Sequence, residues 1–199
     1  PKHWNPNRDK KIVVVDSVPA EIDAYFSPEV ELIGDIYHVL TRLAEECRDV
    51  PHSGGSQRLR EVVLGRFEDA KDDDAFPMQP PRVLWEIRKA LGRDDILISD
   101  VGLHKLWIGR MFPAHEPNTV MIANGLAGMG FAVPCAVAAK LVHPDRKVVT
   151  VNGDGGFLMN CQELETATRL KTPFVNVIWE NQQYGSVVWK QDNKFGEHF

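Results

Sequence analysis

A carboxylate and an amide follow two apolar runs in the second half of the chain. Asp154 lies within the sequence GDGG after the apolar run 148–151, and Asn181 lies just beyond the apolar run 174–179. Carboxylate and amide oxygens are hard ligands, and Mg²⁺ completes its octahedral oxygen shell with substrate phosphates and water. The two residues therefore indicate half of a magnesium shell that a diphosphate would complete. The glycines after Asp154 leave backbone N–H groups able to meet such an anion.

These polar residues must be positioned by a strand, helix and strand that together span residues 147–184. The first run is rich in β-branched residues, as in a parallel strand buried on both faces, and the glycine turn ends it. Asn160 is expected to cap the helix that follows, with Glu163 in the capping-box position. A right-handed crossover then returns a second parallel strand, so both polar turns are predicted at the carboxyl edge of one sheet.

The GDGG motif has other interpretations when it is taken alone. A GDG sequence is often only a tight turn, and it also occurs in haloacid-dehalogenase-type phosphatases, where Asn-Asp follows it. Here Gly156 and Phe157 follow instead. The Lys-Ser/Thr pair of a P-loop and the third glycine of a dinucleotide-binding turn are both missing.

Upstream residues add two more strands whose following loops carry polar or glycine-rich sequences. If the four strands form one parallel sheet, their loops meet at its carboxyl edge. Those loops contain His104, the glycine-rich segment 124–130, Asp154 and Asn181. We predict strands at 96–99, 119–123, 148–151 and 174–179, and helices at 82–91, 106–112 and 131–142.

The first fifty residues are predicted to form a small unit of two strands and two helices. Strands are expected at 11–16 and 31–33, a short helix at 17–22, and an amphipathic helix at 35–47 capped by Asp35. This is too little for an independent α/β domain. The sequence PHSGGS then indicates a flexible boundary, followed by a charged helix at 57–70 and a solvated acidic run at 72–74.

Composition excludes several classes of protein. The chain has 199 residues, a net charge of −5 and 43% hydrophobic residues, as in ordinary globular domains, and no basic stripe indicates nucleic acid binding. Asp, Asn, Arg or Lys interrupts every candidate membrane span, and the N-terminus has no signal-peptide core, so a cytoplasmic protein is expected. Cys47, Cys135 and Cys161 lack C-x-x-C spacing and are expected to be buried free thiols. The chain begins without Met and is interpreted as a piece of a longer protein.

The spacing of GDG and Asn resembles the signature of the thiamine diphosphate (ThDP) enzymes. In that family the GDG aspartate and the later asparagine bind Mg²⁺, which the resemblance assigns to Asp154 and Asn181. The main-chain carbonyl of Gln183 falls where the family supplies a third ligand. One position departs from the pattern, since Glu180 replaces the first of the two asparagines that many members carry.

Two further loops carry the same resemblance. The sequence SDVGLHKLW resembles the acetolactate (acetohydroxyacid) synthase segment in which a histidine meets the cofactor diphosphate. The sequence ANGLAGMGFAVP resembles the loop that holds the aminopyrimidine ring, with the Ala127 carbonyl and the Met129 main chain meeting the ring and the Met129 side chain wedged beneath it. The resemblance assigns cofactor binding to His104, Asn124, Gly125, Ala127, Met129, Gly153, Gly155, Gly156 and Tyr184.

The resemblance also implies a domain organisation. The fold class is α/β, a parallel sheet flanked by helices as in the ThDP-binding fold, preceded by part of an α/β central domain. Residues 1–50 would be the C-terminal part of the central domain, 51–76 a linker with a charged helix, and 77–199 the diphosphate-binding domain, truncated at its C-terminus.

Among relatives, the pattern is most similar to FAD-independent, catabolic-type acetolactate synthases. These enzymes decarboxylate pyruvate and ligate the product to a second 2-oxo acid, using ThDP and Mg²⁺; FAD is left open and not expected. Ser186 and Lys190 depart from the synthase pattern, so another ThDP-dependent decarboxylase, carboligase or oxidase stays an alternative, as does a non-catalytic ThDP-like module.

The resemblance places the catalytic glutamate outside this chain. In the family, that residue lies on a pyrimidine-binding domain and is donated across a dimer interface, so no residue of this chain is assigned a catalytic role. A homodimer or homotetramer is expected for the full-length protein, with no nucleic acid or membrane partner. The 199 residues alone are predicted to be inactive.

Overall fold

The computed structural model describes residues 4–24, 26–51 and 54–199. Two units are distinguished along the chain, Pro1–Gly54 and Gly55–Phe199. The predicted linker 51–76 and the domain limits on either side of it stay predictions. Residues 1–3, 25, 52 and 53 belong to the predicted central-domain and linker segments but lie outside the described residues.

The described residues of the first unit form two strands and one helix. Strands β1 (Val13–Asp16) and β2 (Val30–Ile33) pair in parallel, with Val13 opposite Val30. Helix α1 (Ile36–Glu46) follows, and the Asp35 carboxylate caps it by accepting the His38 N–H at 2.8 Å. These elements and the cap confirm the prediction.

The helix predicted at 17–22 is wrong, because these residues form no helix. The Asp16 carboxylate accepts the Ser17 N–H at 2.6 Å, which turns the chain at the end of β1. Pro19 lacks an N–H and pushes Val18 away from helical dihedral angles. The local turn therefore outweighs the tolerance of proline in a first helical turn.

The second unit alternates helices and strands. Its first helix, α2 (Gly55–Asp69), continues into a single 3₁₀ turn at Ala70–Asp72. Pro80 and Pro81 begin the next helix, where their missing N–H groups cost no helical hydrogen bond. The remaining elements are α3 (Pro80–Ala90), β3 (Ile96–Ser99), α4 (Leu103–Met111), β4 (Val120–Ile122), α5 (Ala132–Val142), β5 (Val148–Gly153), α6 (Asp154–Asn160), α7 (Glu163–Leu170), β6 (Val175–Trp179) and α8 (Gly185–Phe195).

Four of these strands form one parallel sheet in the order β4-β3-β5-β6. Ser99 lies opposite both Ile122 and Val151, and Gly153 lies opposite Trp179, so the carboxyl ends are aligned. The predicted α/β fold class, a parallel sheet flanked by helices, is confirmed. The four loops after the strands consequently leave the sheet from the same edge.

Apolar clusters cover both faces of the central strands. On one face, Leu84 of α3 and Ile108 of α4 pack in a buried cluster with Leu97 and Val149. On the other, the small side chains of α5 pack in a cluster with Ile96, Ile98 and Val148. Burial on both faces explains why β3 and the first four residues of β5 are mostly apolar instead of alternating.

Asn160 does not cap a helix, so that prediction is wrong. Gly153 is extended and precedes α6, which begins at Asp154, and Asn160 is the last residue of this helix. Gln162 precedes α7 and makes no capping side-chain bond. The Asn160 amide instead donates to the Gly130 carbonyl at 2.8 Å, so a contact between distant segments replaces the local cap.

The three cysteines are free, as predicted, but the prediction that they are buried is wrong for Cys47, which is exposed. Cys47 follows α1, a helix without a fully buried residue. Cys135 and Cys161 are partly exposed. Among the described residues, no helix combines the length and the apolar character that a membrane crossing requires.

Candidate functional site

A cavity of about 240 Å³ lies at the carboxyl edge of the four-stranded sheet. The loops after β3, β5 and β6 form most of its wall, and Met129 contributes from the loop after β4. The convergence that the parallel topology predicts is therefore present. Predicted site residues lining the cavity are His104, Met129, Gly153, Asp154, Gly155, Gly156, Asn181, Gln183 and Tyr184.

Oxygen atoms suited to a hard cation lie along one part of this wall. Asp154 is the first residue of α6, and its Oδ1 accepts the Gly155 N–H at 2.8 Å. Asn181 and Gln183 lie on the turn after β6, where Gln182 adopts a left-handed φ of 56°. The Gln183 carbonyl accepts the Gly185 N–H at 2.9 Å and keeps a second lone pair for a metal.

The donor set fits magnesium better than a transition metal. Within the described ranges, no group of three or more His, Cys, Asp and Glu side chains is arranged to hold an ion. A cation here would be bound by one carboxylate, one amide oxygen and one main-chain carbonyl, with the remaining positions open to water and phosphate. This is the mixed oxygen coordination that Mg²⁺ accepts.

Three helix N-termini also line the cavity. Helices α4, α6 and α8 begin at Leu103, Asp154 and Gly185, and all three residues belong to the wall. The first turn of a helix lies at the positive end of the helix dipole. The wall is thus prepared for an anion beside the oxygen ligands, as a metal-bound diphosphate requires.

Two glycines allow the loops to approach one another. A Cβ at Gly155 would lie 2.5 Å from Cε1 of Tyr184, and a Cβ at Gly185 would lie 2.9 Å from Nδ2 of Asn181. Neither distance is sterically possible unless the neighbouring side chain is displaced, so glycine at both positions lets the loops pack this closely. Gly155 was among the predicted residues. Gly185 was not, although a glycine directly after the polar turn was a visible signal.

His104 is buried beside the cavity. Its ring is 4% exposed, stacks against Trp179 with ring centroids 6.4 Å apart, and places Nε2 2.9 Å from the Asp100 carbonyl. Burial lowers the pKa of His104, and the bond to Asp100 and the charge of that residue oppose the shift. The neutral ring donates from Nε2 to the carbonyl, because a carbonyl can only accept. Its predicted contact with a diphosphate stays a prediction.

The glycine loop, residues 124–130, only partly reaches the cavity. Met129 lines it, but Asn124, Gly125 and Ala127 do not. Ala127 has a φ of 49°, a conformation that costs a non-glycine residue about 1 kcal/mol. The middle of this segment is exposed. The predicted contacts of these three residues with the aminopyrimidine ring stay predictions.

Sequence reasoning assigned no role to Asp100. This side chain is fully buried directly after β3. Its carboxylate accepts the N–H groups of Val101 at 2.7 Å, Gly130 at 3.0 and 3.1 Å, and Phe131 at 3.3 Å. An acidic residue directly after a mostly apolar strand was the available signal, and Asp154 has the same position after β5.

Comparisons with known proteins agree with the geometry. The family model of the thiamine pyrophosphate enzyme C-terminal TPP binding domain matches residues 100–199. The chain is 37% identical to acetolactate synthase of Bacillus subtilis, over 98% of this chain and 35% of that protein. It is 34% identical to the catabolic acetolactate synthase of Raoultella terrigena, over 98% of this chain and 36% of that protein. It is 29% identical to a probable acetolactate synthase large subunit of Methanococcus aeolicus, over 94% of this chain and 34% of that protein. The chain therefore spans about a third of the length of these relatives.

Proposed function

Because the chain belongs to the thiamine pyrophosphate enzyme family, we propose that it is the cofactor-binding part of an acetolactate synthase. Such an enzyme decarboxylates pyruvate and ligates the remaining two-carbon unit to a second 2-oxo acid. The observation that carries the proposal is the meeting of Asp154, Asn181 and Gln183 in one cavity with three helix N-termini. The names of the Bacillus subtilis and Raoultella terrigena relatives support the choice of reaction.

In the proposed site, Asp154, Asn181 and the Gln183 carbonyl hold Mg²⁺, and the glycines after Asp154 receive the cofactor diphosphate. ThDP bound here would supply the electron sink that decarboxylation of a 2-oxo acid needs. The chain's own contribution is to bind and orient the cofactor. The buried ring of His104 closes the side of the cavity formed by the loop after β3.

The opposite end of the cofactor is assigned to the glycine loop. In this proposal Met129 supports the aminopyrimidine ring from within the cavity, while Asn124, Gly125 and the Ala127 carbonyl meet its outer edge. Leu126 is fully exposed, so the loop presents its middle outward. A surface of this kind suits a site completed by another domain.

That other domain is proposed to come from a second subunit of the full-length protein. It would supply the activating glutamate, and the working unit would then be a homodimer or a homotetramer. The isolated chain is expected to show no turnover of pyruvate. Decarboxylation by purified residues 1–199, measured as release of labelled CO₂, would contradict this arrangement.

The activity test uses the full-length protein with pyruvate, with and without 2-oxobutyrate. Acetolactate, acetaldehyde and CO₂ are measured separately, and ThDP and Mg²⁺ are each omitted in turn. Acetolactate that depends on both additions supports the synthase. Asp154→Ala is the matched variant. It is expected to form no acetolactate, whether or not Mg²⁺ is added.

A second candidate is a different ThDP-dependent 2-oxo acid decarboxylase, carboligase or oxidase. Ser186 lines the cavity and departs from the synthase pattern, which favours a changed acceptor pocket. Lys190, one turn further along α8, departs as well. Acetaldehyde without acetolactate in the same assay would favour this candidate and leave the cofactor assignment in place.

A further inference from the structure

We propose that Asp100 and Asn160 are positioning residues that clamp Gly130 from two sides. Through this clamp they fix the ring-binding end of the cofactor site relative to its metal-binding end. The inference rests on the proposed cofactor site. It does not depend on which 2-oxo acid the enzyme uses.

The first half of the clamp is the Asp100 carboxylate. It is fully buried and faces three backbone N–H groups, two of which belong to Gly130 and Phe131 at the end of the glycine loop. A buried carboxylate is stable only when its oxygens receive hydrogen bonds. The loop end supplies these bonds and is held in return.

The second half is the Asn160 amide, which donates to the Gly130 carbonyl at 2.8 Å. Gly130 has a φ of 86°, and a Cβ there would lie 2.7 Å from the Asn160 Nδ2 and 3.1 Å from the Met159 Cβ. Both the N–H and the carbonyl of this residue are therefore engaged. A residue larger than glycine at position 130 would displace the Asn160 side chain.

The clamp connects the two ends of the site because both partners touch α6. Asn160 is the last residue of this helix, and Asp154, the proposed metal ligand, is the first. Gly156 lies so close to Asp100 that a Cβ there would be 2.8 Å from its Oδ2. The turn that carries the proposed metal ligand consequently packs against the same carboxylate that binds the end of the loop carrying Met129.

A further bond fixes the start of the glycine loop. The Lys105 ammonium donates to the Ala123 carbonyl at 2.5 Å, just before Asn124. Met129 is the neighbour of Gly130, so a shift of Gly130 moves Met129 within the cavity. Loss of the clamp should therefore weaken the hold on the cofactor ring more than the hold on its diphosphate.

The test compares two ligands on the full-length protein by isothermal titration calorimetry. One is Mg-ThDP, and the other is Mg²⁺ with inorganic diphosphate, which lacks the ring. Asp100→Asn and Asn160→Ala are each expected to raise the ratio of the ThDP Kd to the diphosphate Kd at least about fivefold, since each removes hydrogen bonds at Gly130.

Two matched controls separate positioning from general stability. Asp95 is also a buried carboxylate that binds backbone N–H groups, those of Gly92 and Lys147, at the opposite end of β3. Leu158 is an exposed residue of α6. Asp95→Asn and Leu158→Ala are expected to leave the ratio unchanged, whatever their effect on unfolding.

The proposal would be overturned if Asn160→Ala left the ratio of the ThDP Kd to the diphosphate Kd unchanged. It would also be overturned if the wild-type protein bound both ligands equally well. If Asp100→Asn does not fold, the Asn160→Ala ratio decides alone. Wild-type protein that binds Mg-ThDP but forms no acetolactate would refute the synthase and not the clamp, because the ratio is measured without turnover.

Discussion

Gly155→Ala is the substitution whose effect the structure defines most sharply. The added Cβ would lie 2.5 Å from Cε1 and 3.2 Å from Cδ1 of Tyr184. Carbon atoms in contact settle about 3.5 to 4.0 Å apart, so the ring must retreat by about 1 Å. Tyr184 is 56% exposed, and its displacement should cost the fold only about 0.5 to 1.5 kcal/mol.

The effect on binding should be much larger than the effect on stability. Tyr184 follows Gln183 in the sequence, and the Gln183 carbonyl is a proposed metal ligand. Tyr184 also directly precedes α8. A misplacement of about 1 Å in a site of this kind reduces function roughly 100-fold. We expect the Kd of Mg-ThDP for the full-length protein, measured by calorimetry, to rise about 10- to 100-fold.

A double-mutant cycle with Tyr184→Ala tests the steric cause. Without the ring, the alanine at position 155 meets no obstacle at that site, so Gly155→Ala should add little to the effect of Tyr184→Ala alone. Gly65→Ala is the control, because a Cβ there meets nothing within 4 Å. An equal cost of Gly155→Ala in both backgrounds would refute the reasoning.

Three further predictions concern the metal, the core and pH. Asp154→Asn removes the only charged proposed ligand and should raise the Kd of Mg-ThDP at least about 100-fold by calorimetry, whereas binding within twofold of wild type would exclude Asp154 as a ligand. Leu84→Ala, at a fully buried position, should lower the free energy of unfolding by about 2 to 5 kcal/mol in urea titrations, against less than about 0.5 for the exposed Leu158→Ala. Burial lowers the pKa of His104 from 6.5, so the unfolded chain binds more protons. The unfolding free energy should therefore fall as pH drops below 6.5 towards the folded pKa, and His104→Gln should reduce this fall in matched urea titrations at several pH values.

The sheet could be predicted from the sequence because its signals are local. Each strand of the second unit is an apolar run bounded by a turn, and β3 was predicted with the limits that the structure has. Parallel pairing followed from the alternation with helices. The aligned carboxyl ends then placed Asp154 and Asn181 beside one cavity without further information.

The role of Asn160 could not be predicted in this way. An asparagine three residues before a glutamate satisfies the capping-box pattern, and that pattern describes only the neighbouring residues. The partner that the amide takes is Gly130, thirty residues away. The same distance hides the partners of Asp100, since the loop end that it binds becomes a neighbour only after β4 has joined the sheet.

Asp100 and Asp154 show how surroundings divide the work of two identical side chains. Both lie where a central strand ends, and each accepts the N–H of the following residue, at 2.7 and 2.8 Å. The end of the glycine loop packs on Asp100, and its N–H groups donate hydrogen bonds to the carboxylate, which is shielded from water. Asp154, in contrast, lies on the wall of a cavity. A carboxylate with saturated oxygens holds a fold together, whereas one that faces an open cavity remains available to a cation.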